Sequence, residues 1–155
     1  MSKGKQVVDQ IAALPVRWEK HDKLRVLMVT SRDRGRWVMP KGWQMDGKKP
    51  WRAAEIEALE EAGATGFISK SPVGHYHYDK LLDDGRKVRC RVTLYPMVVE
   101  NLKPRWKERK ERKRHWFSPK KAARLVEEKE LSKLLRDIAE ERKTIAIIED
   151  MRKSA

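Results

Sequence analysis

Apolar and polar positions divide the chain into a strand-rich front and a helical end. Residues 7–16 (VVDQIAALPV) are apolar with few charges and read as a strand. Residues 24–30 (LRVLMVT) are rich in β-branched and large apolar side chains, as a buried strand is. A charged turn at 32–36 follows. The short apolar run Trp37-Val38-Met39 then leads into Pro40-Lys41-Gly42. From there to Pro50 no period is visible, so the stretch reads as a loop. Residues 52–62 (RAAEIEALEEA) are strong helix formers; Pro50 suits the first turn, and Gly63 stands where a left-handed C-cap belongs. Two further strands are expected at 67–79 and 87–99, joined by a hairpin-type turn at Asp83-Asp84-Gly85. In the second, Arg89, Arg91 and Thr93 alternate with Val88, Cys90, Val92 and Leu94, leaving one polar face. Ser118 as N-cap and Pro119 at the first helical position open a C-terminal helix, expected over about 119–153. Its apolar stripe starts at Ala122, Leu125 and Val126 and continues through Leu131, Leu134, Leu135 and Ile138, either unbroken or restarting near Glu130. Strands, one central helix, more strands and a terminal helix make an α+β fold, read as a single domain over 1–155.

Charge narrows the class of partner. The 155 residues carry 37 Lys/Arg against 23 Asp/Glu, a net charge of +14. Such a balance points to a polyanion: a phosphate-rich small molecule, RNA or an anionic surface. Segment 103–121 holds more than half of the surplus, with ten Lys/Arg against Glu108 and Glu111. The longest apolar stretch, near 92–99, is interrupted by Thr93 and Pro96 and is far short of the ~20 residues a membrane helix needs. Residues 1–5 lack the apolar segment of a secretion signal. A single cysteine, Cys90, excludes an internal disulfide framework and fits a reducing, cytoplasmic setting.

The chemistry is concentrated on the central helix. Glu57, Glu60 and Glu61 lie at i, i+3 and i+4, within roughly a 100° arc, so their carboxylates share one face. Trp51, Ala54, Ala58 and Ala62 flank that arc, and Ile56 and Leu59 fall on the other side. Like charges at this spacing repel, and a hard divalent cation such as Mg²⁺ or Mn²⁺ offsets them economically. His75 and His77 share one side of a strand but lack a third ligand, and read as structural or surface residues.

The spacing resembles the Nudix hydrolase box, G-x5-E-x7-R-E-U-x-E-E-x-G-U, where U is a bulky apolar residue. It runs without a gap from Gly42 to residue 64. Gly42 fills the first glycine, Glu57 the glutamate of the R-E pair, Glu60 and Glu61 the E-E pair, and Gly63 the last glycine. Lys48 replaces the first glutamate, Ile56 replaces the arginine that helps orient the glutamates in the family, and Ala58 and Ala64 are small for their apolar slots. Trp37-Val38-Met39-Pro40-Lys41-Gly42 and Arg112-Lys113-Arg114-His115-Trp116-Phe117 extend the likeness towards the diphosphoinositol polyphosphate phosphohydrolases.

The resemblance implies an α/β/α sandwich with a mixed central sheet, a catalytic helix and a C-terminal helix. It implies a Mg²⁺-dependent (or Mn²⁺-dependent) hydrolase of phosphoanhydride bonds, acting on a nucleoside-diphosphate-linked or highly phosphorylated substrate such as a diphosphoinositol or diadenosine polyphosphate. Glu57 and Glu61 would hold the metal, with the Gly42 carbonyl as a further ligand. Glu60 would be the general base or a ligand of a second ion. Arg32, Lys41, Gly42, Arg86 and Arg112 would surround the substrate's phosphates, which arginine binds in bidentate fashion. Two alternatives stay open: removal of pyrophosphate from the 5′ end of RNA, with segment 103–121 as a backbone track, and a non-catalytic RNA- or polyphosphate-binding module. Both a monomer and a homodimer fit the sequence.

Overall fold

The computed structural model describes residues 6–140 and 142–154. Residues 1–5, read above as free of an apolar signal, and the side chain of Ile145 lie outside that description. The strands are β1 (Val7–Glu19), β2 (Lys23–Thr30), β3 (Trp37–Val38), β4 (Lys41–Trp43), β5 (Ala64–Ile68), β6 (Gly74–Leu81), β7 (Lys87–Leu102) and β8 (Arg114–Phe117). The helices are α1 (Pro50–Ala62), α2 (Pro119–Leu125), α3 (Lys129–Glu140) and α4 (Arg142–Ser154). All eight strands join one sheet, ordered β3-β2-β1-β7-β5, with β4 also on β1, β6 on β7 and β8 on β2. β1 runs parallel to β7 and antiparallel to β2, so the sheet is mixed.

β1 is apolar on both faces because both faces are covered. Ala12, Leu14 and Val16 point to one side, where Leu131, Leu135, Ile138, Ile148 and Met151 of the C-terminal helices close the core. Ile11 and Ala13 point to the other, against Ala53, Ala54, Ala58 and Ala62 of α1. This is the α/β/α sandwich expected from the sequence. Ile148 and Met151 are buried, so α4 covers the domain's own core.

Three local expectations change. The strand expected at 67–79 is two strands, β5 and β6, which pair with successive parts of β7. The break lies opposite Pro96, and the ladder resumes at its two sides, where Ser69 N–H donates to the Pro96 carbonyl and Val73 N–H to that of Leu94. Pro72 and a Ser69 hydroxyl that accepts the Ser71 N–H turn the chain between them. The loop expected after Pro40 contains β4, three residues that pair with 10–12 of β1. The helix expected over about 119–153 is three helices: Val126 takes an extended conformation after α2, and the chain restarts as α3 at Lys129, beside the restart considered at Glu130. Ser118 caps α2 as expected, its hydroxyl accepting the Lys121 N–H.

Candidate active site

Helix α1 starts at Pro50 and ends at Gly63, whose φ of 65° is the left-handed conformation expected of it. The helix buries its alanine face on the sheet, so the neighbouring Glu61 is carried inward: its side chain is only 8% exposed. Glu57, one turn earlier, packs against Gly42 of β4 so closely that a Cβ at position 42 would overlap its carboxylate. A side chain at position 42 would therefore push that carboxylate out of its place. Ile56 and Leu59, on the opposite side, are half-buried.

The last carbonyls of α1 lack partners within the helix, and the β7–β8 loop together with the first residue of β8 supplies them. Glu108 N–H donates to the Glu60 carbonyl (3.1 Å), Trp106 Nε1 to that of Glu61 (3.0 Å) and Arg114 to that of Ala62 (2.8 Å). The Arg114 guanidinium also stacks on Trp106, 3.9 Å from its ring centre. The same loop is tied to the end of β2. Lys113 N–H donates to the Thr30 hydroxyl, Thr30 N–H to the Lys113 carbonyl and Arg112 to the Thr30 carbonyl. Two elements distant in sequence, the helix with its glutamates and the loop with its arginines, are thus held in fixed register.

Between them lies a cavity of about 250 Å³ lined by Gly42, Glu57, Glu61, Glu108, Lys41, Arg112, Arg32 and Tyr78, among others. Arg112 is its electrostatic centre. Its guanidinium donates to Glu108 Oε1 (2.9 Å), lies 3.5 Å from Glu61 Oε2 and is only 9% exposed. Lys41 N–H donates to Glu61 Oε1 (3.4 Å), and the Lys41 ammonium lies over the Tyr78 ring, 5.2 Å from its centre. Tyr78 is itself fixed by donating to Gln10 (2.6 Å).

Burial pushes the Glu57 carboxyl up to about 7, reinforced by the charges of Glu61, Glu60 and Glu108. Burial also pushes Glu61 up to about 7, against the pull of Arg112 and Lys41. Burial draws the Lys41 ammonium below its ordinary value, opposed by Glu61. Near neutral pH, each carboxyl can exist either with or without its proton.

Of the residues singled out in the sequence, Gly42, Glu57, Glu61, Lys41, Arg32 and Arg112 meet at this cavity. Glu60 does not line it. Its carboxylate turns to the rim, 3.4 Å from Lys107 Nζ. The i, i+4 pair faces inward, and the i+3 member points away. Arg86 stays in the β6–β7 turn, bound to Asp84 and 73% exposed. His77 bonds to Glu130 across to α3. Glu108, Tyr78 and Lys80 line the cavity without having been singled out. Glu108 left one faint signal, as a rare acid in a strongly basic segment.

Among the described residues no three His, Cys, Asp or Glu side chains gather into a ready-made metal site. The donors nevertheless fit a small hard cation. Mg²⁺ is commonly held by one or two carboxylates and completes its shell with water and phosphate oxygens. Glu57 and Glu61 supply all-oxygen donors beside the Gly42 backbone.

A NUDIX domain model matches residues 9–138. The chain belongs to the Nudix family. It is 33% identical over 129 residues to the Arabidopsis thaliana protein named Nudix hydrolase 12, mitochondrial, covering 79% of this chain and 64% of that one. It is 30% identical over 118 residues to Bos taurus diphosphoinositol polyphosphate phosphohydrolase 3-beta, covering 75% and 67%. Among the first of these relatives, it spans somewhat less than two thirds of their length. The fold is similar to the crystal structure of a C. elegans Ap4A hydrolase, with a TM-score of 0.61 at 21% identity, covering 86% of this chain and 97% of that one. Among the described residues, no helix of this Nudix chain is long and apolar enough to cross a membrane.

Proposed function

We propose that this Nudix chain is a divalent-metal-dependent hydrolase that cleaves a phosphoanhydride bond in a phosphate-rich small molecule. The observation that carries this reading is the cavity in which Glu57, Glu61 and Glu108 face Lys41, Arg32 and Arg112 beside Gly42. Acids that hold a cation and bases that hold phosphate oxygens are needed at one place, because a pyrophosphate repels its attacking nucleophile.

Glu57 and Glu61, with the Gly42 carbonyl, would hold Mg²⁺ or Mn²⁺, which when bound supplies charge neutralisation and a more acidic water. The chain's own groups do the rest. Arg32 and Lys41, both lining the cavity, are the proposed ligands of phosphate oxygens. Arg112 holds Glu61 and Glu108 in place. Its guanidinium is occupied by these carboxylates, so it contributes to phosphate binding chiefly as a fixed positive charge. Glu60 is the proposed base or second-ion ligand, a role that requires its carboxylate to leave Lys107 and turn inward. Glu60→Gln is expected to lower turnover by orders of magnitude with the fold intact. Near-normal turnover would assign proton removal to a carboxylate inside the cavity. Arg86 would reach phosphate only if the substrate extends to the β6–β7 turn.

Diphosphoinositol polyphosphates and dinucleoside polyphosphates are the proposed substrate classes, supported by the names of a relative and of a structural neighbour. The buried thiol of Cys90 suits a reducing compartment such as the cytoplasm. A panel of an inositol pyrophosphate, a diadenosine polyphosphate and 5′-triphosphorylated RNA, each with Mg²⁺ and with EDTA, tests the proposal. Metal-dependent release from either small molecule supports it. Release from RNA alone replaces the substrate class. Binding without any hydrolysis replaces the enzyme with a polyphosphate-binding module.

A further inference from the structure

Trp43, the last residue of β4, is placed unlike the other five tryptophans. Trp37 packs edge-on against Phe117. Guanidinium groups cover Trp18, Trp106 and Trp116, where Arg152, Arg114 and Arg17 lie 4.7, 3.9 and 4.2 Å from the ring centres. Trp51 is half-buried against the alanine core of α1. Trp43 alone among the six is exposed, at 43%. Val7, Phe67 and Leu81 are also large, apolar and exposed, but they do not line the carboxylate cavity, whereas Trp43 does.

The indole stands on a fixed backbone, because β4 pairs Lys41, Gly42 and Trp43 with Ala12, Ile11 and Gln10 of β1. Gly42 lies against the Glu57 carboxylate, so the indole is one residue away from the groups that would hold the cation. Lys80 Nζ, 5.9 Å from the ring centre, is at the outer limit of a cation–π contact and leaves much of the ring to solvent. Tyr78, the other aromatic residue of the cavity, is already engaged: its ring faces the Lys41 ammonium and its hydroxyl donates to Gln10. A cationic cavity with one open aromatic ring at its wall suits a ligand that carries phosphates at one end and a flat aromatic group at the other. Every nucleobase has a π-face, and an indole stacks on it with only two side-chain torsions to fix. An inositol ring is saturated and has no such face.

We propose that Trp43 is a stacking platform for a base carried by the substrate, and so a specificity-determining residue of this site. This rests on the hydrolase reading. Phosphates occupy the cavity whatever they are attached to, but only a nucleoside-linked chain also covers Trp43. A phosphoanhydride on an inositol ring gains nothing from it.

The test is binding to the full chain, measured by calorimetry in EDTA, where turnover plays no part. The probes are diadenosine tetraphosphate, inorganic tripolyphosphate and an inositol pyrophosphate. Trp43→Leu is expected to lower affinity for the dinucleotide about tenfold, the size of one base–aromatic stack, and to leave the other two probes within about twofold of the parent. Trp43→Phe keeps an aromatic face and should recover most of the loss. The dinucleotide should also quench the fluorescence of the exposed indole in the parent, and that quenching should be lost in Trp43→Phe. Equal falls for all three probes, the result of a purely structural role, would overturn the proposal. So would undiminished dinucleotide affinity in Trp43→Leu, a Trp43→Phe variant that binds no better than Trp43→Leu, or no binding of the dinucleotide by the parent. Failure of the hydrolase reading looks different: the discrimination by Trp43 persists, but Mg²⁺ brings no cleavage of any probe.

Discussion

The Glu57 carboxylate occupies the space that a side chain at position 42 would need. A methyl group at position 42 displaces the Glu57 carboxylate, and a misplacement of about 1 Å costs on the order of 10²-fold in rate. Gly42→Ala is therefore expected to lose about that much turnover while melting within a few degrees of the parent, a combination read from kinetics and thermal unfolding together. The two inward glutamates carry a second expectation. Their carboxyls sit at about 7 in the folded chain, against 4.5 for an ordinary glutamate. The raised values mean that folding favours the protonated forms. The associated stability is complete below about pH 4.5 and is lost as pH rises through about 7. In EDTA the unfolding temperature should fall across that window, and the fall should shrink in Glu57→Gln/Glu61→Gln or on addition of Mg²⁺. Identical pH slopes in parent and double variant would contradict the assignment of these shifts.

At the scale of elements, the C-terminus of α1 and the β7–β8 loop form one unit. Arg114→Ala strips the Ala62 carbonyl of its donor and Trp106 of its stacking partner, at an expected cost of about 1–3 kcal/mol in chemical denaturation. Gly63→Ala should cost a comparable amount, because the residue is left-handed and its Cβ would crowd Arg114 and Trp106. Retention of full stability in both would show that the loop does not hold the helix.

Much of this region was legible in the sequence, and the reason is locality. Pro50, the E-x-x-E-E spacing and Gly63 act within one helix, where periodicity and capping rules apply directly. The β6–β7 turn at Asp83-Asp84-Gly85 was legible for the same reason. Glu108 was not, because its place beside Glu61 depends on a loop that returns to the helix some 50 residues later. Glu60 was read as facing inward with its neighbours, yet its side chain had Lys107 available at the rim. The split of β5 from β6 depends on Pro96 in the partner strand, which no local pattern in 67–79 reveals. The interruption after α2 was half-visible as a restart near Glu130.

Over the whole molecule, charge is distributed by function rather than evenly. Segment 103–121, which includes the loop that borders the cavity, carries ten Lys/Arg against two Glu, more than half of the net +14. Substrate capture should therefore weaken with salt. KM for a polyphosphorylated substrate is expected to rise several-fold between about 0.05 and 0.2 M salt, while kcat changes little. A salt-independent KM would detach the basic surface from catalysis. The sheet, closed by α1 on one face and by α2–α4 on the other, supplies a rigid support for both.

The most direct measurement is phosphate release from an inositol pyrophosphate by the parent chain and by Glu61→Gln, each with Mg²⁺ and with EDTA. The account requires release by the parent in Mg²⁺ alone, reduced by at least two orders of magnitude in the variant. Equal release by both proteins, or release that persists undiminished in EDTA, would mean that the buried glutamates do not gather a cation for phosphoanhydride cleavage.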